Sequence, residues 1–149
     1  MKQLLRALIL AAAFAPSAQA GVWVNPGFYS YHFDTSKNLN NHNQGLGVEV
    51  EVSDSYSLTA GVFENSDRAT SRYLGAYVMP YRSGALKAGL AVGVFNGYPQ
   101  MREGRWFPAA IPTLAIEGPR VGLNVSFVPK VGDHVQSALA FQIKFKLLP

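Results

Sequence analysis

The sequence predicts an all-β protein, an eight-stranded antiparallel transmembrane β-barrel of the bacterial outer membrane. Three observations predict it. Apolar and polar residues alternate with period two in one stretch after another, which sends them to opposite faces of pleated strands. The connections between these stretches are alternately long and tight, as in small outer-membrane barrels. The apolar faces carry almost no charge, whereas the opposite faces are rich in Gly, Ala and Ser, which suits a narrow, packed lumen.

The first twenty residues read as a secretory signal. Lys2 and Arg6 form a charged start, Ala7 to Ala15 is an apolar run, and Ala18-Gln19-Ala20 is a small-x-small cleavage site. The run is too short to cross a membrane as a helix. A single barrel domain over 21–149 follows. Two of the thirteen basic residues leave with the signal, so the basic balance of the whole chain is not read as nucleic-acid binding. The sequence has no cysteine. Stability must come from elsewhere, and closing a sheet on itself in lipid pairs every backbone group.

In order, the strands are expected at 22–34, 44–53, 56–64, 71–81, 85–96, 109–117, 121–129 and 137–148. Most are close to the ~9–11 residues that a tilted strand needs to cross a bilayer. The second sets Leu46, Val48, Val50 and Val52 against Gly45, Gly47, Glu49 and Glu51. The fifth sets Leu86, Ala88, Leu90, Val92 and Val94 against Lys87, Gly89, Ala91 and Gly93. The seventh opposes Val121, Leu123, Val125 and Phe127 to Gly122, Asn124 and Ser126. The last opposes Leu139, Phe141, Ile143, Phe145 and Leu147 to Gln142, Lys144 and Lys146. A soluble lipocalin-like barrel or a sandwich alternates too; the purity of the apolar faces favours the membrane. Glu49, Glu51, Glu117, Lys87, Lys144 and Lys146 then point inward. Buried unpaired charge is costly, so an internal ion-pair network is expected.

The long connections, 35–43, 65–70, 97–108 and 130–136, follow strands 1, 3, 5 and 7. If they face outward, strand 1 runs outward to Tyr31-His32-Phe33-Asp34 and strand 3 to Phe63-Glu64-Asn65-Ser66. His32 and Ser66, far apart in sequence, thus arrive on one side of the membrane. Parity puts Tyr29, Tyr31 and Phe33 toward lipid and His32 toward the lumen or its mouth. A Ser-His pair beside an apolar compartment suggests acyl transfer, with the imidazole taking the hydroxyl proton. Asn-Ser is equally a common turn dipeptide, and residue pattern alone leaves both readings open.

A resemblance sharpens this. "FPAAIPTLAIEGPRVGLNVSFVPK", Phe107 to Lys130, is similar without a gap to the PagP family of outer-membrane lipid A palmitoyltransferases, with Pro108, Pro112 and Pro129 on family prolines. "FQIKFKLL" resembles the family's last strand, "YHFDTSK" its aromatic-Asp-Lys stretch after strand 1, and "VFENSD" its Phe-x-Asp-Ser segment. The resemblance implies acyl transfer from a phospholipid donor to lipid A as acceptor, by a membrane-embedded monomer with no cofactor. It implies Ser66 and Asn65 as catalytic partners of a histidine, which here is His32. Proline removes a ladder hydrogen bond, so Pro112 and Pro129 on neighbouring strands are expected to form a lateral lipid gate. The chain departs from the family at three points. Asn65 replaces the aspartate before the serine. A gapless count places Phe28 in the histidine's slot, about 13 Å down the strand from His32 at about 3.3 Å per residue. Tyr77 replaces the glycine at the floor of the acyl pocket, so a chain shorter than palmitate, or none, is expected there.

Arg68, Arg72, Arg102 and Arg105 in or beside the outer loops are candidate contacts for lipid A phosphates. His42 and His134 read as solvated loop residues. Three scattered histidines without cysteine give no metal site, and no phosphate-cradling glycine loop or nucleotide motif is present. The alternative function is a non-enzymatic barrel that binds lipopolysaccharide or a partner through its loops. A lipid A deacylase is a third reading.

Overall fold

In the computed structural model, residues 21–148 are described. The signal sequence expected at 1–20 and Pro149 lie outside them. Eight strands close into one antiparallel barrel in sequence order, β8 pairing back onto β1. They are β1 (Val22–His32), β2 (His42–Ser53), β3 (Tyr56–Glu64), β4 (Thr70–Ser83), β5 (Leu86–Phe95), β6 (Phe107–Glu117), β7 (Val121–Val128) and β8 (Ala138–Leu148).

At one end the turns are tight. Ser53 pairs with Tyr56 across Asp54-Ser55, and Ser83 pairs with Leu86 across Gly84-Ala85, where Gly84 takes a φ of 58°. The connections at the other end are long and hold two short 3₁₀ turns, Thr35–Lys37 and Arg102–Gly104. β1 stops at His32 rather than continuing to residue 34. Asp34 caps the following turn instead, accepting from the Ser36 N–H at 3.0 Å and the Ser36 hydroxyl at 2.6 Å. Those two bonds hold its carboxyl below the usual aspartate range.

The outer surface is apolar. Leu46, Leu58, Leu74, Leu90, Leu114, Ile116, Val121 and Ile143 are all exposed there. Exposed aromatics ring both ends: Tyr29, Tyr31, Phe33 and Trp106 toward the long loops, Tyr56 and Tyr81 toward the tight turns. An apolar band between two aromatic girdles, on a sheet with no free edge, is the architecture of a transmembrane barrel.

The lumen is layered. Toward the tight turns lies the expected ion-pair network. Lys144 Nζ sits 2.8 Å from Glu49 and 2.7 Å from Glu117. Lys87 lies 2.6 Å from Glu117 and 3.9 Å from Glu51, and Lys146 is 3.3 Å from Glu51. The Trp23 indole donates to Glu51 at 3.0 Å and lies beneath the Lys144 ammonium, 4.8 Å from ring centre to nitrogen. Each carboxylate thus meets at least one ammonium, which is what lets six charges sit inside a barrel.

The ladders break in two places. β1 kinks at Pro26-Gly27, where a bulge interrupts its pairing with β2 and Gly27 adopts a φ of 101°. A side chain there would run into the Asn43 carbonyl, so glycine is required. The β6–β7 ladder runs only from Glu117↔Gly122 to Thr113↔Ser126. Beyond that rung the strands part toward the long loops.

Candidate active site

Two loops and two strand ends build the site at the long-loop end. His32 is the last residue of β1 and is 7% exposed. Its Nε2 lies 3.0 Å from Ser66 Oγ. Its Nδ1 lies 2.8 Å from the Asn41 side-chain oxygen. An amide oxygen carries no proton, so Nδ1 is the ring's donor, and bare Nε2 accepts the Ser66 hydroxyl proton. Hydroxyl, imidazole and an orienting side chain stand in line, which is the geometry of an activated serine nucleophile.

The surrounding backbone fixes this row. The Ser30 N–H donates to the Asn41 carbonyl at 2.8 Å, which ties the segment before β2 to β1. The Asn40 N–H donates to the Ser66 carbonyl at 2.9 Å. The Asn40 side chain bridges further, to the His42 and Asn65 carbonyls and the Glu64 carboxylate. Arg68 takes a φ of 60° and donates from Nη1 to the Asn38 carbonyl at 3.0 Å, a second strap between the same two loops.

Asn65 stands beside Ser66 but belongs to the turn, not to the row of Ser66, His32 and Asn41. It is fully buried. Its side-chain oxygen accepts the Asp67 and Ala69 N–H groups at 2.9 and 3.0 Å. Its amide nitrogen donates to Ser71 Oγ and to the Gly97 carbonyl, both at 2.9 Å. That last bond explains the residue type: the Gly97 carbonyl needs a donor, and a carboxylate has none.

Phe28 packs its ring on Phe63, centroids 4.9 Å apart, so the imidazole that reaches Ser66 comes from His32, four residues later. Tyr77 lies deep in the barrel. Its hydroxyl is 3.3 Å from Gln142, and the Lys144 ammonium sits over its ring. It adjoins the ion-pair layer and is separated from Ser66 by stacked aromatic rings. Pro112 falls one residue past the last β6–β7 rung, and Pro129 directly follows the last residue of β7. The Thr113 hydroxyl closes that rung, 2.8 Å from Ser126 Oγ, and also bonds the Ile111 carbonyl at 3.0 Å. The two prolines therefore flank the parting of the two strands.

The arginines divide. Arg72 is exposed on the outward side of β4, between inward Ser71 and Tyr73. Arg102 donates to the Trp106 carbonyl, and Arg105 pairs with Glu103 at 3.4 Å, both in the β5–β6 loop. Arg68 alone of the four straps the site loops. His42 starts β2, faces outward and packs on Tyr29 at 5.3 Å. Nearby in the β5–β6 loop, burial and then the Asp67 carboxylate raise the Tyr98 hydroxyl above its ordinary range. No group of metal-ligating side chains occurs among the described residues.

No family model and no curated protein matches the sequence. Among solved structures the chain is similar to the de novo designed transmembrane barrel TMB2.3, determined by solution NMR. The TM-score is 0.62 over 91% of this chain and 99% of that one, at 14% identity. That likeness is one of fold: a closed, membrane-type barrel of eight strands. The site is a feature of this chain's own loops.

Sequence reasoning brought His32 and Ser66 together but missed Asn41. The signal was there in strand parity. Asn43, Gly47 and Glu49 are buried on the inner face of β2, and two residues back from Asn43 on the same side is Asn41. Starting the strand at residue 44 hid it.

Proposed function

We propose that the protein is an outer-membrane acyltransferase that uses Ser66 to take a fatty acyl group from a phospholipid and pass it to lipid A. The observation that carries this reading is the row Ser66 Oγ, His32, Asn41, with contacts of 3.0 and 2.8 Å. The resemblance of Phe107–Lys130 to lipid A palmitoyltransferases supplies the acceptor, and the apolar belt with its aromatic girdles supplies the location. With the tight turns in the periplasm and the long loops outside, the site meets the outer leaflet.

The chemistry follows from the tautomer. Ser66 Oγ attacks the ester carbonyl of the donor while its proton passes to His32 Nε2. The tetrahedral adduct collapses, the ester's C–O bond breaks, and the leaving alkoxide takes the proton from Nε2. An acyl-Ser66 ester remains. A hydroxyl of the acceptor then attacks that ester, again giving its proton to Nε2, and Ser66 is released with its hydrogen. Asn41 holds the ring in the required tautomer and stabilises the transient imidazolium with its amide dipole. A carboxylate would do so more strongly.

Water in place of the lipid hydroxyl would make the protein a lipid A deacylase or phospholipase. Mass spectrometry of lipid A and phospholipids from cells producing the protein separates the readings. Transfer adds an acyl chain to lipid A, whereas hydrolysis releases free fatty acid. Either change must vanish in Ser66→Ala. Lipids identical with and without the folded barrel in the outer membrane would remove both.

A further inference from the structure

The lumen beneath the site is filled, and by what it is filled bears on what the enzyme can measure. Directly under His32 and Ser66, Ser30 Oγ donates to Asn43 at 2.6 Å and Asn43 donates to the Glu64 carbonyl at 2.9 Å. Ser30 and Asn43 are 3% and 1% exposed. Below this polar layer come the rings. Phe28 meets Phe63 at 4.9 Å, Phe63 meets Tyr73 at 6.0 Å, Tyr73 stacks on Phe95 at 6.0 Å, and Phe95 stacks on Phe107 at 6.2 Å. Five rings from β1, β3, β4, β5 and β6 thus form one connected layer in the lumen. The strands make room for them with small residues: a methyl group on Gly47 or Gly61 would overlap Tyr73. Such interiors pack like organic solids, with no space for a hydrocarbon chain to thread. A cavity of about 610 Å³ does exist, but it lies at the tight-turn end, lined by Trp23, Glu51, Arg82, Lys87, Glu117 and Lys146. It is charged, and the ring layer and the ion-pair network stand between it and Ser66.

Resting on the acyl-transfer reading of Ser66, we infer that the substrate's acyl chain does not enter the barrel. The ester carbonyl is presented to Ser66 at the rim while the chain stays in the leaflet against the outer wall. The site therefore recognises the polar part of a lipid ester and does not measure chain length. The parted strands β6 and β7 then serve as a notch for the glycerol or sugar portion of the lipid, not as a passage for hydrocarbon.

Alkyl fluorophosphonates with octyl, dodecyl and hexadecyl chains test this on the full-length barrel in detergent micelles. Ser66 Oγ forms a bond to phosphorus, the P–F bond breaks, fluoride leaves and the hydroxyl proton goes to His32. The adduct mass reports the reaction without any acceptor. A pocket that measures hydrocarbon separates chains by about tenfold or more per methylene. The expected result here is Ser66-dependent labelling whose rate varies by less than about threefold across the series. Ser66-dependent labelling with a sharp optimum at one length overturns this inference while leaving the serine chemistry standing. Labelling of no chain at Ser66 removes the serine chemistry, and the inference with it. A Phe28→Ala/Phe63→Ala protein, shown folded by its heat-dependent shift in gel mobility, is expected to gain a preference for longer chains. A flat profile from that folded variant also overturns the inference; if it does not fold, the wild-type series decides.

Discussion

The two ends of this barrel use hydrogen-bonding groups for opposite purposes. At the tight-turn end three carboxylates and three ammonium groups neutralise one another, with Lys144 2% exposed between Glu49 and Glu117. At the long-loop end the polar groups are mostly neutral: Asn40, Asn41, Asn43, Asn65, Ser30, Ser66 and Ser71. Their bonds cross from loop to loop, and the chain leaves one hydroxyl, that of Ser66, pointed at an imidazole. Ion pairs in the first region link strands across the lumen; amides in the second hold the Ser66–His32 contact without fixing a counter-ion next to it. Stability and the proposed chemistry are therefore separable, and substitutions at the two ends should show it.

The largest expected contrast is between Ser66→Ala and Lys144→Ala. Ser66→Ala should lower fluorophosphonate labelling or lipid turnover by about 10⁴-fold or more, with little change in the denaturant midpoint. Lys144→Ala leaves buried Glu49 without a counter-ion and Glu117 with Lys87 alone, and should destabilise the barrel by about 3–5 kcal/mol, read from unfolding in lipid vesicles. Adding Glu49→Gln should recover most of that loss, since the double replacement leaves Lys87 paired with Glu117 and Lys146 with Glu51. If Lys144→Ala unfolds at the wild-type midpoint, the network is decorative and the contrast between the ends is lost.

Next comes Asn65→Asp, which introduces the residue type found in the resembled family and should nonetheless weaken the protein. The carboxylate cannot donate to the Gly97 carbonyl or to Ser71 Oγ acting as acceptor, and it places acceptor against acceptor in a fully buried turn. A loss of about 1–3 kcal/mol is expected. Lower activity should follow from displacement of Ser66, with Asn65→Ala behaving alike. Higher activity with unchanged stability would return Asn65 to the catalytic row.

How much of this was legible in the sequence depends on whether a feature follows from period two. The strand count, the order and the inward placement of Glu49, Glu117 and Lys144 all do, because parity along a strand needs no knowledge of its neighbours. β6 begins at Phe107, earlier than the expected residue 109: Pro108 reads as a strand end, yet on β6 it pairs opposite Val94. The role of Asn65 was not legible: it depends on a carbonyl 32 residues away in another loop. Nor was the ring layer, since each ring's inward parity is visible but the filling of the bore depends on five rings meeting from five strands. Asn41 lay between the two cases, hidden only by a strand start placed at residue 44, three residues beyond it.

Asn41→Ala tests the orienting amide and is expected to have a smaller effect than loss of Ser66. The imidazole would keep its contact with Ser66 but lose the partner that fixes its tautomer and its ring plane. A fall of about 10–100-fold in the maximal labelling rate is expected, with little change in the concentration giving half that rate. Asn41→Asp, which can accept the same Nδ1–H, should rescue most of it. A role confined to folding the loop predicts no such rescue, because both replacements keep the Asn41 carbonyl that Ser30 binds.

The smallest effects distinguish the arginines. Arg68 ties the Ser66 loop to Asn38, whereas Arg102 and Arg105 make their bonds within their own loop. Removing a strap between two loops lets Ser66 and His32 drift, and a rate loss of several-fold, within about tenfold, is expected for Arg68→Ala. Arg102→Ala in the same assay should stay within about twofold, as for an exposed charge with a neighbouring acid. Measured with a neutral fluorophosphonate, the Arg68 effect is geometric. Measured with an anionic lipid, any additional loss that fades at high salt is its attraction for phosphate. An equal response of the two arginines to both probes would mean that the strap carries none of the site's geometry, and that the polar end is held by its asparagines alone.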